Sequence, residues 1–237
     1  MTKARGGKSV YGASVGILML DAQFPRIPGD MGNALTWPFP VLYRVVRDAT
    51  PDLVVRRSAE GALDRFIAAA RDLVRDGADG ITTNCGFLAL FQDELANAVS
   101  VPVATSSLMQ TAMVNRLLPP GKRAGILTIS GSALTAEHLV KAGVPGGTPI
   151  GTTEGGREFT RAILGNECEL DVDLARRDNV EAAVALRDAN PDLGAIVLEC
   201  TNMVPYAPAI REATGLPVFS IYNFVVWFHQ SLRPVAF

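Results

Sequence analysis

Cysteine and histidine are scarce in this chain, with 3 and 2 copies among 237 residues. The cysteines stand far apart, at 85, 168 and 200, and His138 and His229 have no companion at ligand spacing. That excludes zinc ribbons, paired-histidine metal sites and CxxC redox motifs. So few cysteines, in odd number, make a poor disulfide framework and are expected of a reducing, cytoplasmic compartment. Charge of one sign is lacking too: 22 Lys and Arg face 24 Asp and Glu, a formal net charge of -2. Without a basic cluster, neither nucleic acid nor an anionic membrane is an expected partner, and a small molecule is. No apolar run reaches membrane-spanning length. Val15 to Leu20 follows Lys3, Arg5 and Lys8 like the apolar part of a signal peptide, but it stops at Asp21 and reads as a buried strand. There is no GxSxG elbow. The "GGKS" at Gly6 to Ser9 is no P-loop, since Thr2 stands where the first glycine belongs, and the glycine-rich Gly151 to Phe159 lacks the dinucleotide fingerprint.

What the chain does have is apolar content, 48% of its residues, and a regular alternation of short apolar runs with segments of helical period. Strands are expected at Ser14 to Leu20, Leu53 to Val55, Gly80 to Thr83, Val103 to Ala104, Ala124 to Thr128, Thr148 to Gly151, Ala195 to Leu198 and Val218 to Ser220. The clearest helices are Ala59 to Asp76 and Asp173 to Ala189. The chain also repeats itself. Displaced by 115 residues, Asp79 to Val103 lies without gaps on Gly194 to Val218, and both read as strand, cysteine, helix and then an apolar-Pro-Val strand opening. The expected fold class is α/β, with two pseudo-symmetric lobes, each a mainly parallel sheet flanked by helices. Residues 14–108 plus 219–237 form the N-terminal lobe and 109–218 the C-terminal one. Ligands of open α/β sheets sit beyond the carboxyl ends of the strands, so Cys85 and Cys200 are expected to face one inter-lobe cleft.

A thiol between strand and helix is expected to have a lowered pKa, because helix-end amides and the dipole favour the thiolate. Two such groups on opposite faces of a carbon can remove a proton and return one, without PLP or metal. Burial in the core is the plainer reading of any one cysteine; the duplication favours chemistry for this pair. Cys168 has no counterpart 115 residues earlier, where Leu53 stands, and reads as structural or incidental. In the loop Pro28 to Trp37, Gly29, Gly32 and Asn33 offer an anion-binding turn, with a plain surface loop as the alternative.

"LECTNMVP" (Leu198 to Pro205) is similar to the Gly-Cys-Thr-His or Gly-Cys-Thr-Glu signature of the aspartate/glutamate/hydantoin racemase superfamily. "GILTISGS" (Gly125 to Ser132) resembles its substrate-loop segment. The resemblance covers nearly the whole chain. It implies a cofactor-independent racemase or epimerase, an isomerase, acting on an amino acid or related small carboxylate. Cys85 and Cys200 would be the catalytic acid and base, and Asp21, Asn84, Gly86, Phe87, Ser132, Thr201 and Asn202 the substrate-binding residues. No cofactor or metal is implied, and a homodimer is possible by analogy. Three departures touch the site. "NCGF" (Asn84 to Phe87) stands for the usual Cys-Asn-Thr, Asn202 replaces His or Glu, and Glu199 replaces Gly. A decarboxylase or maleate cis-trans isomerase on the same scaffold is the alternative, followed by a non-catalytic small-molecule binding protein.

Overall fold

Six apolar residues, Val15–Leu20, form β1 and are buried along their whole length, as the centre of a sheet covered on both faces requires. The structure is a computed structural model that describes residues 3–4 and 6–234. β1 is followed by β2 (Val41–Val46), α1 (Pro51–Arg56), α2 (Leu63–Asp76), β3 (Gly80–Thr83), α3 (Gln92–Ala98), β4 (Val103–Ala104) and α4 (Thr111–Leu117). The plan then repeats: β5 (Arg123–Thr128), α5 (Ala136–Lys141), β6 (Ile150–Thr152), α6 (Phe159–Leu164), α7 (Val172–Ala189), β7 (Leu193–Leu198), α8 (Ala207–Thr214), β8 (Val218–Phe219) and α9 (Ile221–Leu232).

The first sheet has the order β2-β1-β3-β4 and the second β6-β5-β7-β8, with every pairing parallel. The same order twice is the structural form of the 115-residue repeat, and the α/β two-lobed architecture expected from the sequence is present. One strand was misplaced. Leu53–Val55 belongs to α1, where the Thr50 side chain accepts the Leu53 amide at 3.3 Å and Pro51 opens the helix. A β-branched pair imitates a strand, but a Thr-Pro start overrides it. The neighbour of β1 is instead "VLYRVV" at Val41–Val46, a half-exposed edge strand behind Pro38 and Pro40.

α9 crosses back to the first sheet. Its Ile221, Phe224, Val225 and Phe228 share one apolar cluster with Val15, Ile17 and Met19 of β1. Gly80 in β3 makes the contact possible, since a Cβ there would lie 2.7 Å from the Phe228 ring. The main core spans both lobes and includes both buried cysteines. Among the described residues no helix is long and apolar enough to cross a membrane.

Candidate active site

Each cysteine leaves a parallel strand at its carboxyl end and caps a six-residue 3₁₀ segment, Cys85 before Gly86–Phe91 and Cys200 before Thr201–Tyr206. Hydrogen bonds hold these loops and their neighbours together across the lobes. The Thr201 hydroxyl donates to the Asn84 carbonyl at 2.6 Å, and the Ser107 hydroxyl donates to the Leu198 carbonyl. Gly86 lies directly against Glu199, and a Cβ at 86 would collide with the Glu199 carbonyl and carboxyl oxygens. The two cysteine loops are thereby pressed onto one narrow cavity of about 20 Å³, room for about one water. Asn84, Cys85, Gly86 and Phe87 line it from the first lobe and Glu199, Cys200, Thr201 and Asn202 from the second. Leu20, Phe24, Pro51, Val55, Ile129, Ile163 and Leu164 close it. Leu164 also lines a broader outer cleft with Arg56, Ser130, Ser132 and Glu154, and so stands between that cleft and the cavity.

The electrostatics reverse one expectation. Burial pushes the Cys85 thiol up to about 12, and the Glu199 carboxylate pushes the same way, against the Phe87 and Leu88 amides and Arg26. Cys200 is raised well above its usual value by burial first and Glu199 second; only the Asn202 amide opposes them. The pKa-lowering expected of a helix start is overcome because these 3₁₀ segments are short and the thiols are buried in a narrow, mostly apolar cavity. With pKa values raised this way, both cysteines are neutral thiols at neutral pH. The Cys200 thiol donates to Asn202 Oδ1 at 3.6 Å.

Glu199 is fully buried. Its Oε2 accepts from the Thr128 hydroxyl at 2.7 Å, whereas Oε1 has no hydrogen-bond partner among the described residues. Burial raises this carboxyl to about 7, with the Thr128 hydroxyl and the Ile129 amide opposing. Behind Asn202 runs a further chain: the Asn202 amide donates to Asp30 Oδ2, and Arg26 pairs with Asp30 Oδ1 at 2.9 Å.

Of the residues expected to bind substrate, Asn84, Gly86, Phe87, Thr201 and Asn202 line the cavity. Asn84 and Thr201 also spend side-chain bonds on the scaffold: Asn84 Oδ1 accepts the Leu20 amide at 2.8 Å, and Thr201 bonds Asn84 as above. Asp21 and Ser132 lie outside the cavity lining. Asp21 accepts the Asp48 amide at 3.1 Å and holds the turn after β2. Ser132 donates to Glu154 at the outer cleft. The anion-binding turn at Pro28 to Trp37 does not form. The Gly29 amide donates to Thr36 Oγ1 and the Gly32 amide to Asp30, and the Asn33 side chain bonds the Arg26 carbonyl and the Leu35 amide. Cys168 is exposed and apart from the site. His138 is buried edge-on to Phe87 at 5.0 Å between ring centroids, held near pKa 4 by burial, and supports the first cysteine loop from behind. Sequence reasoning registered Glu199 only as a departure from a signature. Its signal was present: an acidic residue at the end of an all-apolar strand, aligned by the repeat with Asn84. Asp30 and Leu164 gave no such signal.

Among solved structures, a crystal structure of arylmalonate decarboxylase superposes with a TM-score of 0.61 at 17% identity, covering 94% of either chain. Allantoin racemase from Pseudomonas fluorescens superposes with a TM-score of 0.56 at 17% identity, covering 92% of this chain and 90% of that one. Aspartate and glutamate racemase structures match in the same way. The chain has the fold of the aspartate/glutamate/hydantoin racemase superfamily. No protein-family model matches it. Members of this fold differ in chemistry, and sequence relatives separate them. A dimethylsulfoniopropionate lyase from Durusdinium sp. clade D is 28% identical over 214 residues, covering 87% of this chain and 71% of that protein. Dimethylsulfoniopropionate lyase 6 from Emiliania huxleyi (strain CCMP1516) is 33% identical over 220 residues, covering 87% of this chain and 56% of that protein. The chain thus spans between just over half and about seven tenths of the length of these two relatives. The expectation of a racemase or epimerase, and with it the class isomerase, is overturned by these relatives, which are lyases. The decarboxylase alternative, itself a lyase, fits them better.

Proposed function

We propose that this superfamily fold serves here as a lyase that cleaves a carbon–sulfur bond in dimethylsulfoniopropionate or a closely similar sulfonium carboxylate. The observation that carries the reading is the set of lyase relatives, which align with 87% or more of this chain, both cysteine loops among the aligned length.

The chemistry suits the site. A base removes a proton from the carbon beside the carboxylate, the C–H electron pair becomes the new double bond, and the C–S pair leaves with sulfur. The products are acrylate and dimethyl sulfide, with one proton held by the base. Dimethyl sulfide departs neutral and needs no proton, so one base suffices where inversion of a carbon centre requires an opposed pair. Cys85 is the base in this reading. Two backbone amides and Arg26 favour its thiolate, against one amide at Cys200, which also lies in the field of Asp30. A fixed positive charge brought into the narrow cavity lowers the Cys85 pKa at the moment the base is needed. The carboxylate lies against the first amides of the 3₁₀ segments, where charge develops as the proton leaves. The cavity holds about one water, so substrate is admitted by displacement of Leu164 toward the outer cleft.

The test is direct. Purified protein incubated with dimethylsulfoniopropionate should release dimethyl sulfide, measured in headspace gas, and acrylate in equal amount. Absence of both, with unaltered substrate recovered, would sink the proposal.

A further inference from the structure

We infer that Glu199 is the specificity-determining anion of this site, its carboxylate matching a fixed, donor-free cation on the leaving group of the substrate. The inference rests on the lyase reading and names what the second lobe recognises. The argument begins with the repeat. Asn84 and Glu199 are 115 residues apart and occupy equivalent positions. Asn84 ties the end of β1 by accepting the Leu20 amide, and Glu199 ties the end of β5 by accepting the Thr128 hydroxyl. An uncharged amide does this work in the first lobe, so the second lobe does not need an acid for it.

The charge of Glu199 is favoured by the Thr128 hydroxyl and the Ile129 amide alone. Among the described residues, Oε1 is buried without a hydrogen-bond partner, and no Lys, Arg or His forms an ion pair with the carboxylate. Arg26, the basic side chain behind Asn202, is already paired with Asp30. Burying a carboxyl in this way is costly unless a charge compensates it. The side chain lines the cavity, and glycine at 86 leaves space for its free oxygen. A sulfonium or quaternary ammonium group carries full charge and no N–H or O–H, so it is matched by an anion that lacks a donor partner. It would gain most in a narrow, mostly apolar cavity, where attraction is least screened.

The experiment compares two unreactive ligands of the same shape, 3-(trimethylammonio)propionate and 4,4-dimethylpentanoate, which differ by the positive charge alone. Binding is measured by calorimetry at pH 8. The unmodified protein is expected to prefer the cationic ligand by about tenfold or more, and Glu199→Gln, which can still accept from Thr128, to bring the two within about twofold. An unchanged preference in Glu199→Gln overturns the inference. A second measurement varies pH. Between pH 8 and pH 6 the preference of the unmodified protein should shrink as Glu199 takes up a proton, whereas in Glu199→Gln, which keeps Cys85, Cys200, Arg26 and Asp30, pH should leave it unchanged. A preference independent of pH in the unmodified protein overturns it equally. Dimethyl sulfide release together with an unchanged preference would refute the role of Glu199 and leave the lyase reading standing. A charge-dependent preference with no dimethyl sulfide release would do the reverse. Binding of neither ligand would overturn the inference.

Discussion

Asn84–Cys85–Gly86 in the first lobe and Glu199–Cys200–Thr201 in the second are built on the same strand, the same 3₁₀ segment and the same sheet order, yet they present different charge to one cavity. The first triplet is neutral and backs its sulfur with two amides and a distant guanidinium; the second holds a buried acid beside its sulfur. A duplicated scaffold thus supplies the geometry of two opposed thiols, while single-residue differences decide that the thiols are unequal. Equal thiols suit inversion at carbon. Unequal ones suit elimination, where a single base acts and a departing neutral sulfide asks for no acid.

That inequality can be broken at several points. The largest effect is expected at the base. Cys85→Ser should lower the rate of dimethyl sulfide release by about 10³-fold or more, and Cys200→Ser by far less, in steady-state assays with folding checked by circular dichroism. Equal losses would restore a symmetric pair and refute the assignment of Cys85.

Next comes the acid. Glu199 titrates near 7 in the folded protein against an ordinary value of 4.5. The folded state therefore holds a proton that the unfolded chain releases. The stability tied to it is fully present below about pH 4.5 and is lost as pH rises through 7. Relative to Glu199→Gln, the unmodified protein should lose about 3 kcal/mol between pH 4.5 and pH 8, read from denaturant midpoints at each pH. A pH-independent difference would show that the carboxyl is not buried in solution.

Gly86→Ala should cost about 1–3 kcal/mol, because its Cβ is driven into the oxygens of Glu199 and the lobes must part to admit it. Alanine in the equivalent position of the second lobe, Thr201→Ala, meets no such collision. The smallest effect belongs to one of the inter-lobe hydrogen bonds. Thr201→Val should cost about 1 kcal/mol, seen as a shifted unfolding midpoint, since the Asn84 carbonyl loses its donor.

Much of the fold was legible because it is written twice. A strand, a cysteine and an apolar-Pro-Val opening, repeated at one offset, place β3, β4, β7 and β8 and carry both cysteines to strand ends. Where the repeat is weak, reading by local pattern failed. Leu53–Val55 reads as a strand on its β-branched composition yet is helical, and β2 carries a weak strand signal because a half-exposed edge strand between prolines lacks the apolar run of a buried one. Asp21 and Ser132 stand close in sequence to the site but are turned to other partners, and nothing local to them says so. The resemblance of "LECTNMVP" to a racemase signature found the right fold and the wrong reaction, since two cysteines in register are compatible with both chemistries.

The sequence by itself determined the α/β class, the duplication, the pairing of Cys85 with Cys200 and the exclusion of Cys168, because periodicity and repeat spacing are properties of the chain. Only the tertiary structure decided the charge state of the site. Whether a thiol is lowered by a helix start or raised by burial, and whether Glu199 meets water or Gly86, depends on which residues of the other lobe lie across the cavity. Desolvation is a property of surroundings, and the surroundings of each cysteine come from segments about a hundred residues away.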